Sequence, residues 1–493
     1  MNQFRKIAGQ LIMVRFPGTE LDAATAEFLR ANSIRGVCLF RQNMVDSEQL
    51  TRLTRELRAV MGPDALIGID QEGGAVVRST WVPAPPAAMG LGAADDVELA
   101  RSVGAAVARA VKALGFNWNF APVLDLNNNP DNPVIAERSF GADPRRATEL
   151  AMAWMEGSES EGVACCVKHF PGHGDTSVDS HRDLPTVDKP LAQLERFEFA
   201  PFRLASGRAP AIMTAHIVYP ALDAEFPATM SRRILTGLLR EEWQYRGVII
   251  TDGMDMHAIA GRYGAGQAAV RALLAGADMV MALGTPETQE ETLSAIAQAL
   301  ETGMLTMDEV NQRLARLSAL ARNYPCLPRE YTQDSADRLV MAEAWRRGLT
   351  ARGNPQRPPA GAKVRLVVRQ DVVSDGVSEA GVPAAVVAAS LGRLYEVDTV
   401  TFADAETFDW SKLPKDGRFT ILASTSRLRY GPNARSGWKP DLHLALWNPY
   451  QALDIDAPAL MTYGFAAPAL EAINAWLAGG LEARGRCPVP GFG

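Results

Sequence analysis

GVACCVKHFPGHGDTSVDSHRDLP, residues 162–185, is an apolar run that stops at Lys168 and His169, followed by a segment rich in Gly, Pro, Asp and Ser. A short apolar run bounded by turn residues reads as a buried strand, and the polar segment over 170–187 as a long surface loop. The same pattern recurs on both sides of it. LIMVRF (11–16), RGVCLF (35–40), ALIGID (65–70), FNWNFAPVLD (116–125), PAIMTAH (210–216), RGVIITD (246–252) and ADMVMAL (277–283) are separated by helix-patterned stretches. With GVACCVKH (162–169) the runs number eight. Eight strand–helix units in about 300 residues predict an α/β fold of the (β/α)8 or TIM-barrel type over residues 1–325.

Polar residues stand where these runs stop: Asp70, Asp125, Lys168, His169, His216 and Asp252. In a parallel barrel the C-terminal strand ends share one face, where chemistry is assembled, so a site is expected there. Residues 326–362 read as linker and helix, closing in the Pro-rich NPQRPPAGAK. Residues 363–493 hold further runs, KVRLVV (363–368), RFTILAS (418–424), LHLALW (441–446) and APALMTY (456–462), and predict a smaller α/β sandwich domain. His443, inside one of these runs, is expected to be a core histidine.

Bulk properties narrow the function. The chain of 493 residues is 47% hydrophobic and 22% charged, a composition that supports packed cores. Its net charge of −7 argues against a general nucleic-acid partner. The apolar run near the N-terminus is too short for a signal-peptide core or a membrane span, so no membrane insertion is expected. Five cysteines, three of them (Cys38, Cys165, Cys166) in strand-like runs, suggest reduced thiols and a cytoplasmic protein.

Three of the six histidines, His169, His173 and His181, fall within the quoted segment. A zinc site is the first reading of such a cluster. Phe170, Pro171 and Gly172 break any helix that would bring His169 and His173 to one metal. The metal-dependent amidohydrolase barrel is a related alternative, but it needs a His-X-His pair where this chain has Arg15, Phe16 and Pro17, and its aspartate follows the eighth strand rather than the seventh. No metal and no cofactor are therefore expected. Asp179 and His181, two apart in an extended segment, face the same side, so the carboxylate can orient the imidazole for acid/base work. No serine or cysteine is placed as nucleophile; Asp252 at a strand end is the candidate, and a carboxylate opposite a proton donor suits retaining glycoside cleavage. In IGIDQEGGAVVR (67–78), Asp70 and Arg78 suit a clamp on sugar hydroxyls.

The blocks IDQEGG..VR, NFAPVLDLNNNP, ERSFG (137–141), KHFPGHGDTSVDSH and the strand ending in Thr251 and Asp252 occur in the order found in family 3 glycoside hydrolases. The chain resembles the branch of bacterial β-N-acetylglucosaminidases, over both domains. The resemblance implies that Asp252 is the nucleophile, that His181 oriented by Asp179 is the acid/base, and that Asp70, Arg78, Arg138, Lys168 and His169 bind substrate. It implies a small carbohydrate substrate with β-linked N-acetylglucosamine, such as a peptidoglycan fragment in cell-wall recycling. It also implies a site built wholly by the first domain, leaving the second a packing role. Thr251 and Gly253 around the nucleophile, and Ala75 and Val77 in the first motif, depart from the common pattern and bear on fine substrate preference. A phosphorylase using the same residues is the alternative, because a neutral imidazole does not repel a phosphate acceptor as a carboxylate would.

Overall fold

The protein is described here by a computed structural model covering residues 3–176, 184–328, 331–374 and 377–492. All eight apolar runs become strands of one closed parallel barrel. In chain order these are β1 (Ile12–Val14), β2 (Gly36–Cys38), β3 (Leu66–Ile69), β6 (Trp118–Asn119), β7 (Ala164–Phe170), β8 (Ala211–Thr214), β9 (Val248–Gly253) and β10 (Met279–Ala282), with β10 pairing back onto β1. A small antiparallel hairpin, β4 (Gln71–Gly73) and β5 (Val76–Val77), follows β3. FNWNFAPVLD yields only two ladder residues; Pro122, which has no N–H to donate, lies just beyond them.

The helices around the barrel start on side-chain caps that satisfy their first backbone donors. Asp46 accepts from Gln49 N, Asp96 from Leu99 N, and Asp143 from Arg146 N ahead of Pro144. The barrel interior is packed, not hollow: a Cβ at Gly68 would lie 2.6 Å from the Phe120 ring, so the smallest residue faces a large one. Asp278 opens β10 at the opposite end from the strand-end candidates. It is fully buried and ion-paired to Arg240 and Arg316, so this acid braces the lower face.

A second sheet is built from β11 (Thr350–Arg352), β12 (Lys363–Arg369), β13 (Glu396–Phe402), β14 (Phe419–Ser424), β15 (Leu442–Ala445) and β16 (Ala459–Met461). Its order is β11-β16-β15-β14-β12-β13, parallel except for β11. Alternation along β12 sends Val364, Leu366 and Val368 to one core and Val367 to the other, which contains Tyr430 and Trp438. Ala445, Met461 and Tyr463 pack with Ala87 and Met89 of the barrel region, joining the two sheets.

His443 is fully buried in β15, with Nε2 2.7 Å from Ser424 Oγ. Burial pushes its pKa down to about 3, so the folded protein keeps it neutral. The unfolded chain binds this proton below about pH 6.5, so the associated stability is full above that pH and is lost as pH falls toward 3. Replacing His443 with Gln should flatten the stability loss between pH 7 and pH 5 by on the order of 2 kcal/mol. Urea unfolding of both proteins at the two pH values measures it; identical slopes would contradict it.

Candidate active site

The hairpin after β3 brings Asp70 and Arg78 together. Gly73 and Gly74 take φ of +126° and +59°, and a Cβ at Gly73 would stand 2.1 Å from the Pro86 carbonyl oxygen, so only glycine turns the chain here. Buried Gln71 fixes the return: its Oε1 accepts from Arg78 N at 2.9 Å and Ser79 N at 3.2 Å, and its Nε2 donates to Ser79 O. Arg78 Nη2 then lies 3.7 Å from Asp70 Oδ2.

Lys168, near the end of β7, reaches two carboxylates: Asp70 Oδ1 at 2.7 Å and Glu72 Oε1 at 2.6 Å. Arg138, from the turn Ala136–Arg138, forks onto Glu72 with bonds of 2.9 and 2.8 Å. All three partners, Lys168, Glu72 and Arg138, are almost wholly buried. Burial opposes charge on each, yet the opposite charges prevail. Against the cost of burial, Arg138 and Lys168 hold the Glu72 carboxyl well below its usual range. Lys168 is raised by Asp70 and Glu72, again against burial, and Arg138 by Glu72.

Asp125, fully buried, accepts from the backbone N–H groups of His169 and His173 and sits 2.6 Å from His169 Nδ1. Burial resists its ionisation, but His169 and His173 together outweigh that and lower its pKa. A carboxylate at Nδ1 places the proton there and leaves Nε2 as the ring's other polar atom. His173 is buried with Nδ1 2.8 Å from Thr176 Oγ1; burial drives its pKa down to about 4 and keeps it neutral at pH 7. Asp252 is the penultimate residue of β9, where its Oδ1 accepts from Gly253 N at 2.7 Å. His216 Nε2 donates to the Gly253 carbonyl at 3.0 Å, with Nδ1 against Thr229 Oγ1, and so steadies the backbone beside Asp252.

Asp70, Arg78, Arg138, Lys168, His169 and Asp252 line one cavity of about 150 Å³. Asp179 and His181 fall in residues 177–183, outside the described residues. A larger cavity of about 730 Å³, lined by Phe226, Arg271 and Leu274 among others, includes none of the strand-end candidates. At the rim of the smaller one, Arg15 is 3.6 Å from Asp255, and Arg15 and Arg78 each lie 5.8 Å from the Phe40 ring.

Sequence reasoning left Glu72 without a role, although it stands two residues after Asp70 in the same motif. It flagged Asp125 only as a strand end. The second sheet region also reaches the cavity: Val377 lines it, and Glu379 Oε1 accepts from Arg78 Nη1 at 2.8 Å. The expectation that the first domain alone builds the site is thus corrected. No local pattern signalled this pairing, whose members are 301 positions apart.

Residues 4–320 match the family model described as the glycosyl hydrolase family 3 N-terminal domain. A beta-hexosaminidase of Chromobacterium violaceum is 38% identical over 320 residues, 63% of this chain and 87% of that protein. Beta-hexosaminidase A of Pseudoalteromonas piscicida is 34% identical over 388 residues, which cover 73% of this chain but only 62% of that relative. The solved structure of a family 3 beta-N-acetylglucosaminidase from Paenibacillus sp. str. FPU-7 superposes with a TM-score of 0.88 at 30% identity, covering 99% of this chain and 98% of that one. The chain belongs to glycosyl hydrolase family 3.

Proposed function

We propose that this protein is a retaining β-N-acetylglucosaminidase that removes terminal β-linked N-acetylglucosamine, with peptidoglycan fragments in the cytoplasm as its natural substrates. The observation that carries the reading is Asp252, at a barrel strand end, lining the same cavity as paired carboxylates and cations. That arrangement suits a single sugar ring: Asp70 accepts from ring hydroxyls, while Arg78, Lys168, Arg138 and His169 donate to them or to the acetamido oxygen. The cavity is smaller than the about 300–1,000 Å³ of sites that enclose drug-sized ligands. Names of the hexosaminidase relatives point to the same substrate class.

In this mechanism Asp252 attacks the anomeric carbon as the bond to the leaving-group oxygen breaks, and His181 donates a proton to that oxygen. Asp179 orients the imidazole and favours its protonated form before the step. A glycosyl-aspartate remains. Neutral His181 then takes a proton from water, which attacks the same carbon and frees Asp252; two inversions retain configuration. Residues 1–325 supply all these catalytic groups in the proposal. Among the described residues no helix is long and apolar enough to cross a membrane.

A chromogenic β-N-acetylglucosaminide should turn over far faster than the matching β-glucoside. Free N-acetylglucosamine should be the main product even in phosphate buffer, because holding phosphate takes several donors and Arg182, next to His181 in sequence, supplies a single charge. Predominant N-acetylglucosamine 1-phosphate would convert the reading to a phosphorylase, and preference for the glucoside would sink it.

His181→Ala should separate substrates by leaving group. Aryl glycosides with good leaving groups need little protonation, whereas a sugar hydroxyl needs it fully. The variant should lose roughly 10²–10⁴-fold on disaccharide substrates and far less on activated aryl substrates. Steady-state kinetics on both classes decides this, and equal losses would assign His181 to binding.

A further inference from the structure

We propose that Glu379, from the second sheet region, is a positioning residue for sugar recognition, holding the Arg78 guanidinium in place beside Asp70. This rests on the N-acetylglucosaminidase reading for its substrate and adds to it a requirement that both regions of the chain build the sugar pocket.

The geometry is that of a clamp. Arg78 lies between two carboxylates, with Nη1 2.8 Å from Glu379 and Nη2 3.7 Å from Asp70. The shorter bond runs to Glu379, which therefore sets where the guanidinium sits. The segment carrying Glu379 is itself tied to the hairpin, because Glu379 N donates to the Ala75 carbonyl at 2.9 Å. One residue away, the Ser378 hydroxyl bonds Arg427 Nη2. The same Arg427 nitrogen lies 3.2 Å from Glu137 Oε1, to which Trp447 Nε1 also donates at 2.7 Å. Glu137 precedes Arg138, the cation at the other end of the pocket. Groups of the second sheet region thus grip both sides of the cavity: Glu379 holds Arg78, and Arg427 with Trp447 holds the turn that carries Arg138.

Without the Glu379 charge, Arg78 has Asp70 as its one remaining carboxylate partner among the described residues. The guanidinium should then close on Asp70, competing with both Lys168 and a substrate hydroxyl for that carboxylate. Substrate binding weakens in ground state and transition state alike, because nothing at the reacting carbon has changed.

Glu379→Gln preserves volume and tests this. On a chromogenic β-N-acetylglucosaminide, KM should rise about tenfold with kcat within about twofold, the pattern of lost uniform binding. In a double-mutant cycle, adding Glu379→Gln to Arg78→Met should change KM little further, since the one acts through the other. An independent measurement, the Kd of free N-acetylglucosamine by calorimetry, should weaken in step with KM. Unchanged KM and Kd in Glu379→Gln would overturn the inference, as would full additivity with Arg78→Met. A collapse of kcat with loss of the alkaline limb of the pH profile would make Glu379 a proton donor and overturn it too. Wild-type protein that fails to cleave this substrate removes the functional reading first, and this inference with it.

Discussion

Lys168 divides its charge between Asp70 and Glu72, and the cavity is organised around that shared ammonium. Read outward, the charges alternate in sign: Glu379, Arg78, Asp70, Lys168, Glu72, Arg138. Three anions and three cations sum to zero, so the chain of pairs can be buried without net charge. Buried ions are costly to desolvate, and removing one member of such a pair typically costs about 3–5 kcal/mol by stranding its partner. The arrangement therefore matters less for net stability than for position. Each carboxylate and each cation is held at a defined distance from its partners before a ligand arrives, so a polar ligand would meet preset acceptors and donors rather than solvent-mobile side chains.

That constraint explains the parts around it. The hairpin β4–β5 requires its two glycines and its buried Gln71 because Arg78 must return to Asp70 within eight residues. Asp125 fixes the backbone and ring of His169, the residue after Lys168. His216 does the corresponding service for the end of β9, through the carbonyl of Gly253. The second sheet closes the arrangement from outside the barrel. Its buried Arg427 ties the neighbour of Glu379 to the neighbour of Arg138, so the two regions are coupled at the site and not only through the apolar packing of Tyr463 and Met89.

The barrel was legible because its strands are buried on both faces and so read as apolar runs, five of the eight ending in a polar residue. The second sheet was legible only in its interior. β12, β14, β15 and β16 carry apolar runs, whereas β13, EVDTVTF, is an edge strand with mostly exposed or half-buried side chains, and β11 is three residues long. Asp70, Lys168 and Asp252 could be picked out because strand ends are positions with a known meaning in this fold. Glu72 could have been picked out as well, from its place in the same motif. Glu379 could not: its importance comes from a tertiary pairing with Arg78, and nothing in its own neighbourhood distinguishes it from a surface glutamate.

The pocket has a chemical purpose only if it presents one sugar to Asp252. A slow fluorinated N-acetylglucosaminyl donor with a good leaving group should therefore trap the glycosyl-enzyme, read by intact-protein mass spectrometry and peptide mapping. The predicted result is a mass gain of one fluorinated sugar, located on the peptide that contains Asp252. A label on any other residue, or steady consumption of the donor with no covalent adduct at any time, would contradict it.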